Sequence, residues 1–152
     1  MAKFMYRMQN ILDIKYKMEN QARSAYSNAR NRLDTERDKL EELFSGKRRL
    51  ENEYRELAQG SIKVRELLDG RRAIDYQKEL IKVQMVEVRV AEKNFEVARS
   101  KLNEVMKDRK THEKLREKAF ENFLIELSAQ EKKEIDELVS YRYGAGSEES
   151  EL

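Results

Sequence analysis

Apolar residues recur at alternating three- and four-residue spacings through the first half of this chain. One seam reads Met8, Lys15, Ala22, Ala29, Glu36, Leu43, Leu50, Leu57 and Val64. A second, four positions on, reads Leu12, Glu19, Tyr26, Leu33, Leu40, Lys47, Tyr54, Ser61 and Leu68. Most positions in both are apolar, and the repeat outlasts the roughly three to four heptads that separate a coiled coil from coincidence. The pattern predicts one long amphipathic helix over about residues 4–59. Ile11, Met18 and Ala25 shift the stripe by one position, as a helix of ~3.6 residues per turn drifts against a repeat of ~3.5.

The second half repeats the habit, with Ile74, Ile81, Val88, Phe95 and Leu102 on one seam and Ala91, Ala98, Val105 and Ala119 on the other. Arg109, His112 and Arg116 interrupt it before Phe120, Phe123, Leu124, Leu127, Ile135 and Leu138 resume. A second helix is expected over about residues 71–143. Gly60-Ser61 and Asp69-Gly70 are the paired turn signals between the halves, so the chain is expected to reverse within 60–70. Gly60 is the favoured end of the first helix, with 62–70 a less regular lead-in to the second. Gly46 stands alone in a strong pattern and reads as a soft point, because Gly costs about 1 kcal/mol against Ala in a helix. The expected fold class is all-α: a long antiparallel two-helix coiled-coil hairpin, with helices of about 80–110 Å at ~1.5 Å rise per residue. From Gly144 the sequence GAGSEESEL is too poor in apolar side chains to bury area, so residues 144–152 are expected to form a disordered acidic tail.

Composition supports this picture. Charged residues make up 41% of the 152, with no Pro and only 5 Gly, which leaves too little turn chemistry for a sheet fold. The 32 basic and 30 acidic residues nearly cancel, so no strong field exists to hold nucleic acid or a membrane surface. Lys47-Arg48-Arg49 and Arg71-Arg72 are the densest basic clusters, and each is flanked by acids such as Glu51, Glu53, Glu66 and Asp69 that repel a phosphate backbone. No run approaches the ~18 apolar residues of a spanning helix. With no cysteine, thiolate zinc, disulfide and thiol chemistry are excluded. The chain is expected to be soluble and cytoplasmic, without nucleic acid and without direct membrane insertion.

Catalytic chemistry is missing as well. Gly46-Lys47 suggests a phosphate loop, but Glu41 and Arg48 stand where that loop needs Gly and Ser or Thr. His112 is the one histidine and reads as a polar interruption of a seam, not as a metal ligand. Carboxylate pairs such as Glu92 with Glu96 and Glu113 with Glu117 would need a desolvated pocket to act as acid and base. A two-helix hairpin offers none, so no catalytic residue, cofactor or metal is expected. The run Val83, Met85, Val86, Val88 and Val90 spans more than one helix face. It marks either a locally wider core or an apolar docking patch for another protein.

The ends of the chain are more specific. Phe4 to Lys15 (FMYRMQNILDIK) and Glu131 to Arg142 (EKKEIDELVSYR) resemble the opening and closing segments of the flagellar export protein FliJ family. Asn52-Glu53-Tyr54-Arg55 and Ile74-Asp75-Tyr76-Gln77, near the reversal, are also similar. The resemblance implies an antiparallel coiled coil like the rotor stalk of the rotary ATP synthase. It implies a site on the cytoplasmic face of the flagellar type III export apparatus, at the inner face of the cell membrane. There such proteins link the export ATPase hexamer to the cytoplasmic domain of the export gate and escort export chaperones.

By that resemblance, ATPase contacts are expected at the paired termini, at Phe4, Tyr6, Met8, Ile135, Leu138 and Tyr141. Gate contacts are expected at Leu50, Tyr54, Val83 and Val86. Leu50 and Glu79 stand where the family carries aromatics. Three alternatives stay open on the residues alone: an export chaperone for amphipathic substrate segments, an injectisome-type secretion stalk, and a self-associating coiled coil.

Overall fold

The structure, a computed structural model, describes residues 2–61 and 63–150, the last six as backbone only. Two helices account for almost all of it: α1, Gln9–Gln59, and α2, Val64–Ser150. No strand occurs among the described residues. The chain is an all-α antiparallel hairpin that divides into two units, residues 19–105 and residues 1–18 with 106–152.

Helix α1 begins at Gln9, not near residue 4. No Ser, Thr, Asp or Asn stands ahead of Phe4 to cap an earlier start, and Phe4 leaves the helical path to pack on α2. The first turn closes through Gln9 N–H to Tyr6 O (3.1 Å) and Ile11 N–H to Met8 O (3.0 Å). Gly60 and Ser61 form the bend after α1. Helix α2 then starts at Val64, with Leu67 N–H donating to Lys63 O at 3.1 Å, so the expected irregular lead-in over 62–70 is helical instead from 64.

Gly70 consequently lies inside α2, and its role is packing. A Cβ there would sit 3.2 Å from the Tyr54 ring of α1. Gly46 is likewise a notch, since a Cβ would meet the Gln77 side-chain nitrogen at 2.8 Å. At the far end α2 runs through Gly144 to Ser150, where a disordered tail was expected from 144. No proline interrupts it, and the i to i−4 bonds of a helix need no tertiary partner. Glu151 and Leu152, also in the expected tail, lie outside the described residues.

In the unit formed by 19–105 the core centres on Leu33, Val88 and Ala91, with Leu40 and Phe95 packed on it and Tyr26 5.2 Å from the Phe95 ring. Ala22, Ile74, Ile81 and Val105 are also buried. Rising numbers on α1 meet falling numbers on α2, as antiparallel packing requires. Between these apolar layers the seam turns polar. Glu36 is 3% exposed, and Gln84 of α2 donates both to its carboxylate and to its main-chain oxygen. One heptad away Gln77 donates to Leu43 O at 2.9 Å. Arg32 (3.1 Å) and Lys39 (3.6 Å) flank Glu36, and Glu19, also buried, is held by Arg23 at 2.8 Å. The two glutamates at seam positions are thus buried acceptors with partners, as a low-dielectric site demands.

The hydrogen bond from Gln84, more than any other influence, holds the Glu36 carboxyl below its ordinary range; burial opposes it, and the Lys39 and Arg32 cations assist. A carboxyl whose folded-state pKa is depressed contributes stability above its unfolded pKa and loses it as pH falls through the folded value. Two outcomes are expected. Leu33→Ala should cost about 2–4 kcal/mol in urea unfolding, as a truncated core leucine does. Gln84→Leu should lower the urea midpoint most at neutral pH, with the gap to the parent chain shrinking below the usual carboxylate range as Glu36 protonates.

Candidate interaction surfaces

Among the described residues an open groove along the seam of the 19–105 unit is lined by Asp38, Glu42, Leu43, Gly46, Gln77 and Gln84. Among the described residues no three His, Asp or Glu groups converge as metal ligands. His112 lies on the α1-facing side of α2, with Nε2 3.5 Å from Asp108 Oδ1 and a buried Nδ1 that makes no hydrogen bond. Asp108 itself pairs with Lys15 at 2.7 Å, and that bond holds its carboxyl below the usual range.

Three of the four singled-out carboxylates serve as ion-pair partners. Glu92 faces Arg37 at 3.4 Å, Glu96 faces Arg99 at 3.9 Å, and Glu113 faces Arg109 at 2.9 Å. Glu113 also accepts from the Tyr16 hydroxyl, and that bond raises the tyrosine pKa. Lys47 pairs with Glu51 at 3.5 Å, so the basic cluster is partly neutralised from its own helix.

What remains is apolar surface, and α2 carries most of it. The valine run divides by face. Val88 turns into the core, while Val83 (61%) and Val86 (54%) are exposed together with Val90. The structure therefore decides for an outward patch over a wider core. Tyr76, Val83, Val90 and Val97, all exposed, follow one another at heptad spacing. At ~100° per residue this second stripe points away from the Ile74, Ile81 and Val88 seam, so one helix is apolar on opposite sides.

The four residues expected at the gate are not gathered into one patch. Leu50 and Tyr54 of α1 are half-buried, with Tyr54 against Gly70. Val83 and Val86 stand beside Gln84, which bonds Glu36, roughly 20 Å along α2 from Gly70 at ~1.5 Å per residue.

The six residues expected at the ATPase also divide, within the unit of 1–18 and 106–152. Phe4 is half-buried against Phe120 and Phe123, at 5.1 and 5.4 Å between ring centroids. Tyr6 is half-buried and Met8 exposed. Ile135 (59%), Leu138 (63%) and Tyr141 (77%) stand beyond, on a stretch of α2 in which every side chain from 128 to 144 is exposed. Phe4 does not meet them; its partners lie roughly 20 Å earlier on the helix at ~1.5 Å per residue.

Glu19, Glu36, Gln77 and Gln84 are the structural residues that seam counting passed over. Two of them were visible as charged residues at apolar positions of the repeat, but the pattern named no partners. The register between helices assigns those.

The described surface thus carries exposed apolar residues in both units. The family model described as the flagellar FliJ protein matches residues 4–148, and the chain belongs to that family, a family of type III export-associated proteins. The fold is similar to the solved structure of CT670 from Chlamydia trachomatis, a protein described as a YscO homolog. The TM-score is 0.77 and the identity 22%, over 96% of this chain and 99% of that one. No curated protein matches this chain. No helix among the described residues is long and apolar enough to cross a membrane.

The double variants Val83→Ser/Val86→Ser and Ile135→Ser/Leu138→Ser should unfold within about 0.5 kcal/mol of the parent chain, because exposed side chains contribute little to stability. Thermal and urea melts followed by circular dichroism check this. A loss comparable to that of a core leucine would show that these residues pack within the fold.

Proposed function

We propose that this protein is a non-catalytic stalk of the flagellar type III export apparatus, joining the cytoplasmic export ATPase hexamer to the cytoplasmic domain of the export gate and escorting export chaperones. It works in the cytoplasm, at the inner face of the cell membrane. Family membership over residues 4–148 supplies the setting. The observation that carries the reading is the division of exposed apolar residues into two sets in different units. Val83 and Val86 lie in one, and Ile135, Leu138 and Tyr141 in the other.

An exposed apolar cluster rimmed by charge is a contact site waiting for a partner. Two such clusters on one chain let it hold two partners at once. Val83 and Val86, with Tyr54 and Leu50 contributing their exposed edges, meet the gate domain. The terminal set of Ile135, Leu138 and Tyr141, all exposed, meets the ATPase. Coupling then passes through the packed hairpin, and the chain supplies no chemical step.

The test is co-sedimentation with the ATPase hexamer and, separately, with the isolated gate domain. Val83→Ser/Val86→Ser should weaken gate binding about 10-fold and leave ATPase binding unchanged. Ile135→Ser/Leu138→Ser should do the reverse, each loss matching the ~1–2 kcal/mol of truncated interface anchors. Failure of the folded parent chain to bind either partner overturns the proposal.

A second reading has its own support in the heptad stripe of Tyr76, Val83, Val90 and Val97. Such a stripe is suited to an amphipathic helix, and so to shielding export substrates or their chaperones. Competition between a chaperone and the gate domain for the Val83 face would favour shared use of that surface.

A further inference from the structure

Residues 2–8 do not extend α1; they cross to α2 and are held there through side chains. The Phe4 ring meets Phe120 edge-on at 5.1 Å and Phe123 at 5.4 Å. The Arg116 guanidinium lies over the Phe4 ring at 5.8 Å from its centroid, and its Nε donates to Gln9 Oε1 at 2.9 Å. Among the described residues, the backbone bonds near this segment close the first turn of α1, from Gln9 to Tyr6 and from Ile11 and Leu12 to Met8. None reaches α2. A segment fixed by one aromatic anchor and one stacked cation, without a backbone ladder, is at the low-stability end of a fold.

What it covers is one end of a longer surface. Phe120, Phe123, Leu127, Ile135, Leu138 and Tyr141 fall within a single arc of α2, about 120° wide at ~100° per residue. That arc continues the face which α1 occupies further back, where Glu113 accepts from the Tyr16 hydroxyl and Arg116 donates to Gln9. Glu126 is the last α2 residue bordering the groove beside Met5 and Tyr6, and from 128 to 144 every residue is exposed. Glu131 and Glu134 fall in the same arc beyond it and are exposed.

We infer that residues 2–8 are a detachable strap whose release frees half-buried Phe123 and the part of the Phe120 ring that Phe4 meets, Phe120 being 43% exposed with the strap in place, and joins them to Leu127, Ile135, Leu138 and Tyr141 as one docking face. The face continues the α1–α2 interface, so its occupant is a protein surface of matching character: apolar, with cationic groups opposite Glu131 and Glu134. This rests on the reading that the terminal set meets the export ATPase, and it adds the regulation of that contact. While the strap is down, Phe4 occupies part of the site at high effective concentration. The partner sees only the fraction of molecules in which it is up, and its apparent affinity is reduced accordingly.

The absence of cysteine allows a direct test. Met5, 85% exposed, and Glu126 border the same groove. The double variant Met5→Cys/Glu126→Cys, bridged by a short bismaleimide, pins the strap without altering Phe4, Phe120 or Phe123. The same variant capped with N-ethylmaleimide is the control. Affinity for the purified export ATPase hexamer is measured for both forms and for Phe4→Ala, with circular dichroism verifying that each is folded.

The bridged form should bind at least about 10-fold more weakly than the capped form, and Phe4→Ala should bind about 3-fold more tightly than the parent chain, as expected when a competing closed state is imposed or removed. Equal affinity of bridged and capped forms overturns the strap and leaves the ATPase reading standing. Weaker binding by Phe4→Ala also overturns it, because Phe4 would then be a contact and not a cover. If no folded form binds the hexamer, the ATPase reading fails and the strap with it.

Discussion

Two helices in contact can bury only the stripe along which they touch, and every other property of this protein follows from that limit. The stripe supplies what stability there is through Leu12, Leu33, Ile74, Ile81, Val88, Ala91 and Val105, since apolar burial is the main favourable term in folding. Whatever apolar surface lies off the stripe must stay in water until another molecule covers it. Helix α1 has 51 residues and α2 has 87, so α2 also outruns its partner, and its final turns carry isoleucine, leucine and tyrosine with nothing from α1 against them.

The seam is not uniformly apolar, and its polar rungs have a specific role. Glu36 and Gln84, Gln77 and the Leu43 carbonyl, Gly46 under Gln77 and Gly70 under Tyr54 each match one position on α1 to one position on α2. A slip by a heptad toward Ala91 would set the buried Glu36 carboxylate opposite an alanine in place of its Gln84 donor, and a buried charge that loses a partner costs more than a displaced methyl group. We regard these rungs as setting register at some expense in packing, the use for which buried polar residues in coiled coils are best attested. The notches belong to the same device, because a side chain at either glycine would press on the residue opposite.

Function follows from where the uncovered surface lies. The valines on the outer side of α2 and the terminal set on its later stretch are in different units, and the proposed two-partner reading rests on that division. Of the carboxylates weighed as acid–base pairs, Glu92, Glu96 and Glu113 are tied into ion pairs, and His112 keeps its Nδ1 buried. Membership of the flagellar FliJ family places this reading in an export setting that physical argument alone does not supply.

Much of this was legible in the residues. Heptad spacing, the missing proline and the Gly60-Ser61 signal determined two helices and a reversal after Gln59, because helix periodicity and breakers are local properties. The terminal segments carried the family resemblance. Other points depended on contacts between residues distant in the chain. Phe4 reads as the start of a helix until Phe120 and Phe123 draw it aside. Asp69-Gly70 reads as a turn until Tyr54 comes to rest on Gly70. Glu36 reads as a flaw in the repeat until Gln84 is opposite, and the valine run has no inward or outward side until α1 takes one. Sequence sets the period of an apolar stripe, while only the packed partner decides which stripe is buried, because burial is a relation between two surfaces.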